Sequence, residues 1–141
     1  AAVADWRVAN AGAQKIKKTP TGIPPLDLVE NPDILATIAK RKHDRPKIVI
    51  GFAAETENLI VNATLKLARK GCDWIVANDV SPSTGVMGGD RNTVYLITRH
   101  LKQTHVDSWP VMSKEDVATS LIERIAKAIS APPSNKGEPN A

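Results

Sequence analysis

Five lysines in this sequence stand where they could neutralise a chain of phosphates. Lys15, Lys17 and Lys18 belong to the run Lys-Ile-Lys-Lys, in a stretch that also holds Gly12, Pro20, Gly22, Pro24 and Pro25. Lys66 and Lys70 are four residues apart, so on a helix they share one face. Ammonium groups held at a ligand site stabilise the charge that develops in phosphoryl or nucleotidyl transfer. The plain alternative is a solvated loop and an exposed helix face, and composition alone favours it for the loop lysines. Position raises Lys66 and Lys70, because their helix leaves a candidate crevice. Asp5 and Phe52 each fall where a strand is expected to end. Phe52 is the single Phe, suited to a core or to stacking on a base.

Other chemistries lack their residues. His43, His100 and His105 share no metal-ligand spacing with each other or with Cys72. There is no Gly-x-x-x-x-Gly-Lys-Ser/Thr loop and no Gly-x-Gly-x-x-Gly after a strand. Gly85, Gly88 and Gly89 read as a flexible loop. Cys72, between a helix stop and a strand, reads as a small buried residue rather than a nucleophile.

The element that must position these residues is centred on residues 47–56, Lys-Ile-Val-Ile-Gly-Phe-Ala-Ala-Glu-Thr. Its β-branched run reads as a strand buried on both faces. It passes through small residues into a helix over 57–70, with Leu59, Ala63 and Leu67 as the buried stripe and Gly71 as the stop. A strand follows at 73–78, so the two strands are expected to be parallel. In an open α/β sheet, ligands bind at the carboxyl ends of such strands.

The remaining elements surround that unit. Residues 1–5 read as a buried strand, 6–25 as a long loop of the lid or binding type, and 26–30 as a short strand. Asn31 is expected to cap a helix with Pro32 at its first position and Asp33 in its first turn. Ile34, Leu35 and Ile38 are its buried face. Residues 79–91 read as a loop, and 94–98 as a strand paired with one near 104–109. Ser113 caps a last helix to about 129, with Val117, Leu121, Ile125 and Ile129 on one face. Residues 131–141 read as a disordered tail.

At 141 residues the chain suffices for one α/β domain. Lys+Arg 19 against Asp+Glu 15 gives a net charge of +4. That balance suits an anionic small molecule. No dense basic block interleaved with aromatics argues for nucleic acid. A single cysteine fits a reduced, cytoplasmic setting, and no run is long enough to span a membrane. The opening Ala-Ala-Val-Ala-Asp-Trp resembles a strand already under way, as in a fragment of a longer chain.

Several motifs occur together in order. They are Ala-Ala-Val-Ala-Asp-Trp-Arg (1–7), Lys-Ile-Lys-Lys (15–18), Glu-Asn-Pro-Asp-Ile-Leu (30–35), Gly-Phe-Ala-Ala-Glu-Thr (51–56), Lys66 with Lys70, and Val-Ala-Asn-Asp-Val (76–80). Over residues 1–129 this resembles the phosphopantothenate–cysteine ligase family, the synthetase half of the bacterial bifunctional coenzyme A biosynthesis protein. The resemblance implies a Rossmann-like parallel sheet flanked by helices, a small antiparallel strand pair and a flap loop. It implies a CTP-dependent ligation of 4′-phosphopantothenate with cysteine through an acyl-cytidylate, assisted by Mg2+. Lys15 on the flap would be catalytic. Asp5, Lys15, Phe52, Lys66 and Lys70 would bind the nucleotide, together with the backbone at Pro32, Asp33, Ile34 and Leu35.

The family's Gly-rich first turn, and an asparagine that stabilises its acyl intermediate, precede the segment that begins here. FMN belongs to the decarboxylase half, which is also absent. The resemblance therefore implies that residues 1–130 are the C-terminal part of the ligase domain, with an upstream segment as partner. It also implies a homodimer with its active site near the interface, and no turnover from this stretch alone. The alternative is a non-catalytic nucleotide-binding or dimerisation fragment of that enzyme.

Overall fold

The computed structural model describes residues 4–10, 22, 25–81, 89–100 and 103–131. Two strands, β1 (Trp6–Val8) and β2 (Leu28–Glu30), pair antiparallel and lead into the short helix α1 (Ile34–Ala39). Next come β3 (Ile50–Glu55), α2 (Leu59–Lys70) and β4 (Trp74–Asp79). The strands β5 (Arg91–Asn92), β6 (Val94–His100), β7 (Gln103–Ser108) and β8 (Met112–Ser113) precede the long helix α3 (Lys114–Ser130).

The main sheet has the order β3-β4-β6-β7. β3 and β4 are parallel, as a strand–helix–strand unit requires, and β6 and β7 run antiparallel to their neighbours. The α/β class and the small antiparallel pair agree with the sequence reading, and the sheet itself is mixed. No helix intervenes between β4, β6 and β7 among the described residues, so those connections reverse direction.

Each sheet face carries a helix. Ala63 and Leu67 of α2 are buried against Ala53, Ile75, Ala77 and Ile97. Val117 and Leu121 of α3 cover Val76, Val94 and Leu96 on the other side. Gly71 ends α2 with φ 74°, and its N–H donates to the Leu67 carbonyl. Ser113 caps α3 by accepting from the Asp116 N–H.

Gly51 brings α1 onto the sheet. A Cβ there would lie 2.6 Å from Leu35 Cδ2 and 2.7 Å from Ile75 Cδ1, closer than carbon atoms pack. Below it, Asp73 accepts from the Val49 N–H at 2.7 Å and pairs with Arg45 at 2.8 Å. Arg45 Nε in turn donates to the Ala39 carbonyl at the end of α1.

Several expectations change. β3 is buried on one face only: Gly51 and Ala53 are buried, but Phe52 is 67% exposed and Ala54 is exposed. β3 is the edge strand, and α3 packs over β4 and β6 instead. Asp33 caps α1, with Pro32 before the helix, because Asn31 is occupied elsewhere. Ile34 is 56% exposed, leaving Leu35, Ile38 and Ala39 as the packed face. Ile129 is exposed, since the last turns of α3 lie outside the packed cluster. Ala4 and Asp5 are exposed and precede a strand that the sequence read as loop, while Asp79 belongs to β4. Residues 1–3, 11–21, 82–88 and the tail from 132 lie outside the described residues.

Candidate functional site

Asn31 assembles the wall of the larger hollow. Its N–H donates to the Asp5 carbonyl at 2.8 Å and its Nδ2 to the Ala4 carbonyl at 2.7 Å. Arg7 Nη1 reaches Asn31 Oδ1 at 3.0 Å and the Glu30 carbonyl at 2.9 Å. These bonds hold the Ala4–Asp5 backbone against the turn that starts α1. The resulting hollow is about 510 Å³, lined among others by Asp5, Pro32, Asp33, Ile34, Arg69 and Lys70.

Asp33 joins this wall to α2. Its Oδ1 accepts from the Ala36 N–H at 2.9 Å, and its Oδ2 pairs with Lys70 Nζ. The hydrogen bond from Lys70, and then that from Ala36, hold its carboxyl below the ordinary value. Partial desolvation opposes the shift, and the charges of Lys70 and Arg69 reinforce it. The Asp33 side chain and carbonyl occupy the N–H groups of Ala36 and Thr37. Ile34 and Leu35 carry the two N–H groups at the helix start that have no partner inside the helix.

A second hollow of about 370 Å³ lies along α2, lined by Glu55, Asn62, Leu65, Lys66 and Arg69. Lys66 Nζ is 3.3 Å from Glu55 Oε1 at the end of β3. Arg69 lines both hollows. Of the two strand ends where the sheet rule places a ligand, that of β3 lines this second hollow through Glu55, while that of β4 borders a separate hollow of about 390 Å³ with Asn58, Asp79 and Tyr95. The Ser81 N–H and hydroxyl hold the Asp79 carboxyl below its ordinary value.

Asp5, Pro32, Asp33, Ile34 and Lys70 thus come together from three separate stretches, with Lys66 in the adjoining hollow. Leu35 does not line either hollow; its side chain packs into the core at Gly51. Phe52 lines neither, because strand alternation turns it away from the α2 face that Gly51 and Ala53 meet. Lys15 lies outside the described residues. Sequence reasoning passed over Arg69 and the bridging role of Asn31. Arg69 was within reach, since Lys66, Arg69 and Lys70 follow i, i+3, i+4 spacing.

Residues 1–129 match the family model described as the DNA/pantothenate metabolism flavoprotein C-terminal domain. The chain belongs to that family. It is 39% identical over 129 residues to the coenzyme A biosynthesis bifunctional protein CoaBC of Haemophilus influenzae, covering 92% of this chain and 32% of that one. With its Bacillus subtilis counterpart it is 38% identical over 126 residues, covering 89% of this chain and 30% of the relative. The chain therefore spans about a third of the length of these relatives. The crystal structure of the C-terminal domain of a CoaBC superposes with a TM-score of 0.64 at 31% identity, covering 92% of this chain and 52% of that one. This member of the flavoprotein C-terminal domain family thus shares its fold with the C-terminal domain of a coenzyme A biosynthesis protein. No described helix is long and apolar enough to cross a membrane.

Proposed function

We propose that this chain is the C-terminal part of a CTP-dependent ligase domain that joins 4′-phosphopantothenate to cysteine in coenzyme A biosynthesis. The supporting observation is the hollow itself: in a chain of this family, Asp5, the start of α1 and Lys70 line one concave site. Its volume is within the range of small-molecule sites, roughly 300–1,000 Å³.

In this reading the carboxylate oxygen of phosphopantothenate bonds to the α-phosphorus of CTP, and pyrophosphate leaves. The cysteine amine then attacks the acyl carbon, loses its proton and forms the amide, and CMP departs with the former carboxyl oxygen. The base is read at the start of α1, by the backbone at Pro32, Asp33, Ile34 and Leu35. Asp5 meets the nucleotide from the opposite wall. Lys66 and Lys70 bind its phosphates, and Lys15 stabilises the charge that develops on them during transfer. Phe52 faces away from both hollows. Its place is at a homodimer interface, where an exposed aromatic packs on a nucleotide held by the partner copy.

Among the described residues no group of three or more His, Cys, Asp or Glu side chains could hold a metal ion. Magnesium is commonly held by one or two carboxylates and by substrate phosphates. Asp5 and Glu30, both lining the hollow, fit that donor set. A bound magnesium ion would supply further neutralisation of the triphosphate.

Calorimetric titration with CTP, ATP and UTP tests the nucleotide reading. CTP should bind most tightly, and Lys66→Ala should weaken it. Equal binding of the three nucleotides, or none, would overturn the reading.

A further inference from the structure

Two of the three cations on the exposed face of α2 already have anionic partners. Lys66 is paired with Glu55 and Lys70 with Asp33. Arg69 makes no hydrogen bond or ion pair among the described residues, and its side chain is exposed. It also lines both the larger hollow and the one beside it. Lys40 is likewise without a side-chain partner there, but it lines only the larger hollow. The uncompensated positive charge at the seam of the two hollows is therefore that of Arg69.

We infer that Arg69 is the polyphosphate anchor of this site, gripping the phosphate chain where it crosses from the larger hollow into the smaller one. The inference rests on the nucleotide reading above and adds to it a binding residue and a direction. The nucleoside lies against the start of α1. The β- and γ-phosphates run along α2 toward Asn62 and Lys66. A guanidinium suits this position because its planar fork can donate two parallel N–H bonds to one phosphate, which an ammonium cannot do. The field of Arg69 already reaches this wall, since it helps to lower the Asp33 carboxyl.

Another role for a basic residue in the last turn is to offset the helix dipole. Arg69→Lys separates the two, because it keeps the charge and loses the fork. The test titrates the parent, Arg69→Ala and Arg69→Lys with CTP, CDP, CMP and inorganic tripolyphosphate, and records thermal melting of each protein. The parent should bind CTP more tightly than CDP, and CDP more tightly than CMP. Arg69→Ala should lose about tenfold or more for CTP and tripolyphosphate, with CMP nearly unchanged, so that the series flattens. Arg69→Lys should melt like the parent and still lose part of the preference for CTP over CMP. If Arg69→Ala binds CTP as the parent does, or loses CMP and CTP equally, the anchor is disproved while the nucleotide reading stands. If the parent binds tripolyphosphate through Arg69 but prefers no nucleotide, the anchor stands and that reading falls. A parent that binds neither ligand overturns both.

Discussion

Lys70, the last residue of α2, forms an ion pair with Asp33, the residue that caps α1. One carboxylate thus serves a helix start and a neighbouring helix end at the rim of the larger hollow. Removing it should be felt twice. Asp33→Ala should cost about 1–2 kcal/mol, mostly through the lost cap. The ion pair adds less, because the Asp33 side chain is 42% exposed and solvent screens it. Asp33→Asn, which keeps an oxygen for the Ala36 N–H, should cost less than Asp33→Ala.

The same carboxyl yields a pH dependence. Its folded value is depressed below the ordinary 3.8. Its contribution is therefore complete above that value and is lost as the pH falls through the lower folded value. Urea unfolding should show the parent more stable than Asp33→Asn at neutral pH, with the difference shrinking as the pH falls below 3.8 through the lower folded value. A difference that stays constant into acid would rule out the charged pair as its source.

Gly51→Ala should be destabilising although alanine has the better intrinsic strand fit. The added Cβ would meet Leu35 and Ile75 at 2.6 and 2.7 Å. Overpacking of this kind costs about 1–3 kcal/mol. Leu35 belongs to α1, so the strain should also displace the helix that walls the larger hollow. Denaturant midpoints and amide shifts of residues 33–39 would report it. An unchanged midpoint would mean that α1 is held more loosely than its packing indicates.

Much of this architecture is legible in local patterns. Leu59, Ala63 and Leu67 mark the inner face of α2, Gly71 marks its end, and Ser113 marks the start of α3. What escaped depends on partners distant in sequence. Both Asn31 and Asp33 are good caps, and the choice between them follows from Asn31 being engaged by Ala4 and Arg7. β1 is three exposed residues that become a strand only beside β2. An apolar run such as the one leading into β3 does not show whether it lies at a sheet edge, and that position exposes Phe52. Asp5, Pro32, Asp33, Ile34 and Lys70 were singled out by motif, and the fold places them around one hollow.

Asp73 should prove more important to stability than an ordinary partly exposed acid. It receives the Val49 N–H and the Arg45 guanidinium, and Arg45 closes the end of α1 through the Ala39 carbonyl. Asp73→Ala strands a backbone donor at the entrance to β3, a loss of about 1–3 kcal/mol. Asp73→Asn should recover part of it by keeping one acceptor. Equal unfolding free energies for the alanine and asparagine variants would show that the Val49 bond contributes nothing.

Glu55 and Lys66 permit a prediction in which two neighbouring substitutions act in opposite directions. In the free protein Glu55 holds Lys66 at 3.3 Å, and both side chains are less than a third exposed. A phosphate arriving at Lys66 must compete with that carboxylate, and Glu55 also repels it. Glu55→Gln removes the competing charge and keeps the shape of the side chain. It should therefore tighten CTP binding by a few-fold, of the order expected for one partly screened charge pair. Lys66→Ala should weaken binding instead, and Glu55→Gln should help less in that background than in the parent, because the benefit of freeing a lysine vanishes with the lysine and only the relief of direct repulsion remains. Calorimetry at two salt concentrations checks this, since both effects should shrink as salt screens the charges. Weaker CTP binding by Glu55→Gln would show instead that the carboxylate supports the site by positioning Lys66.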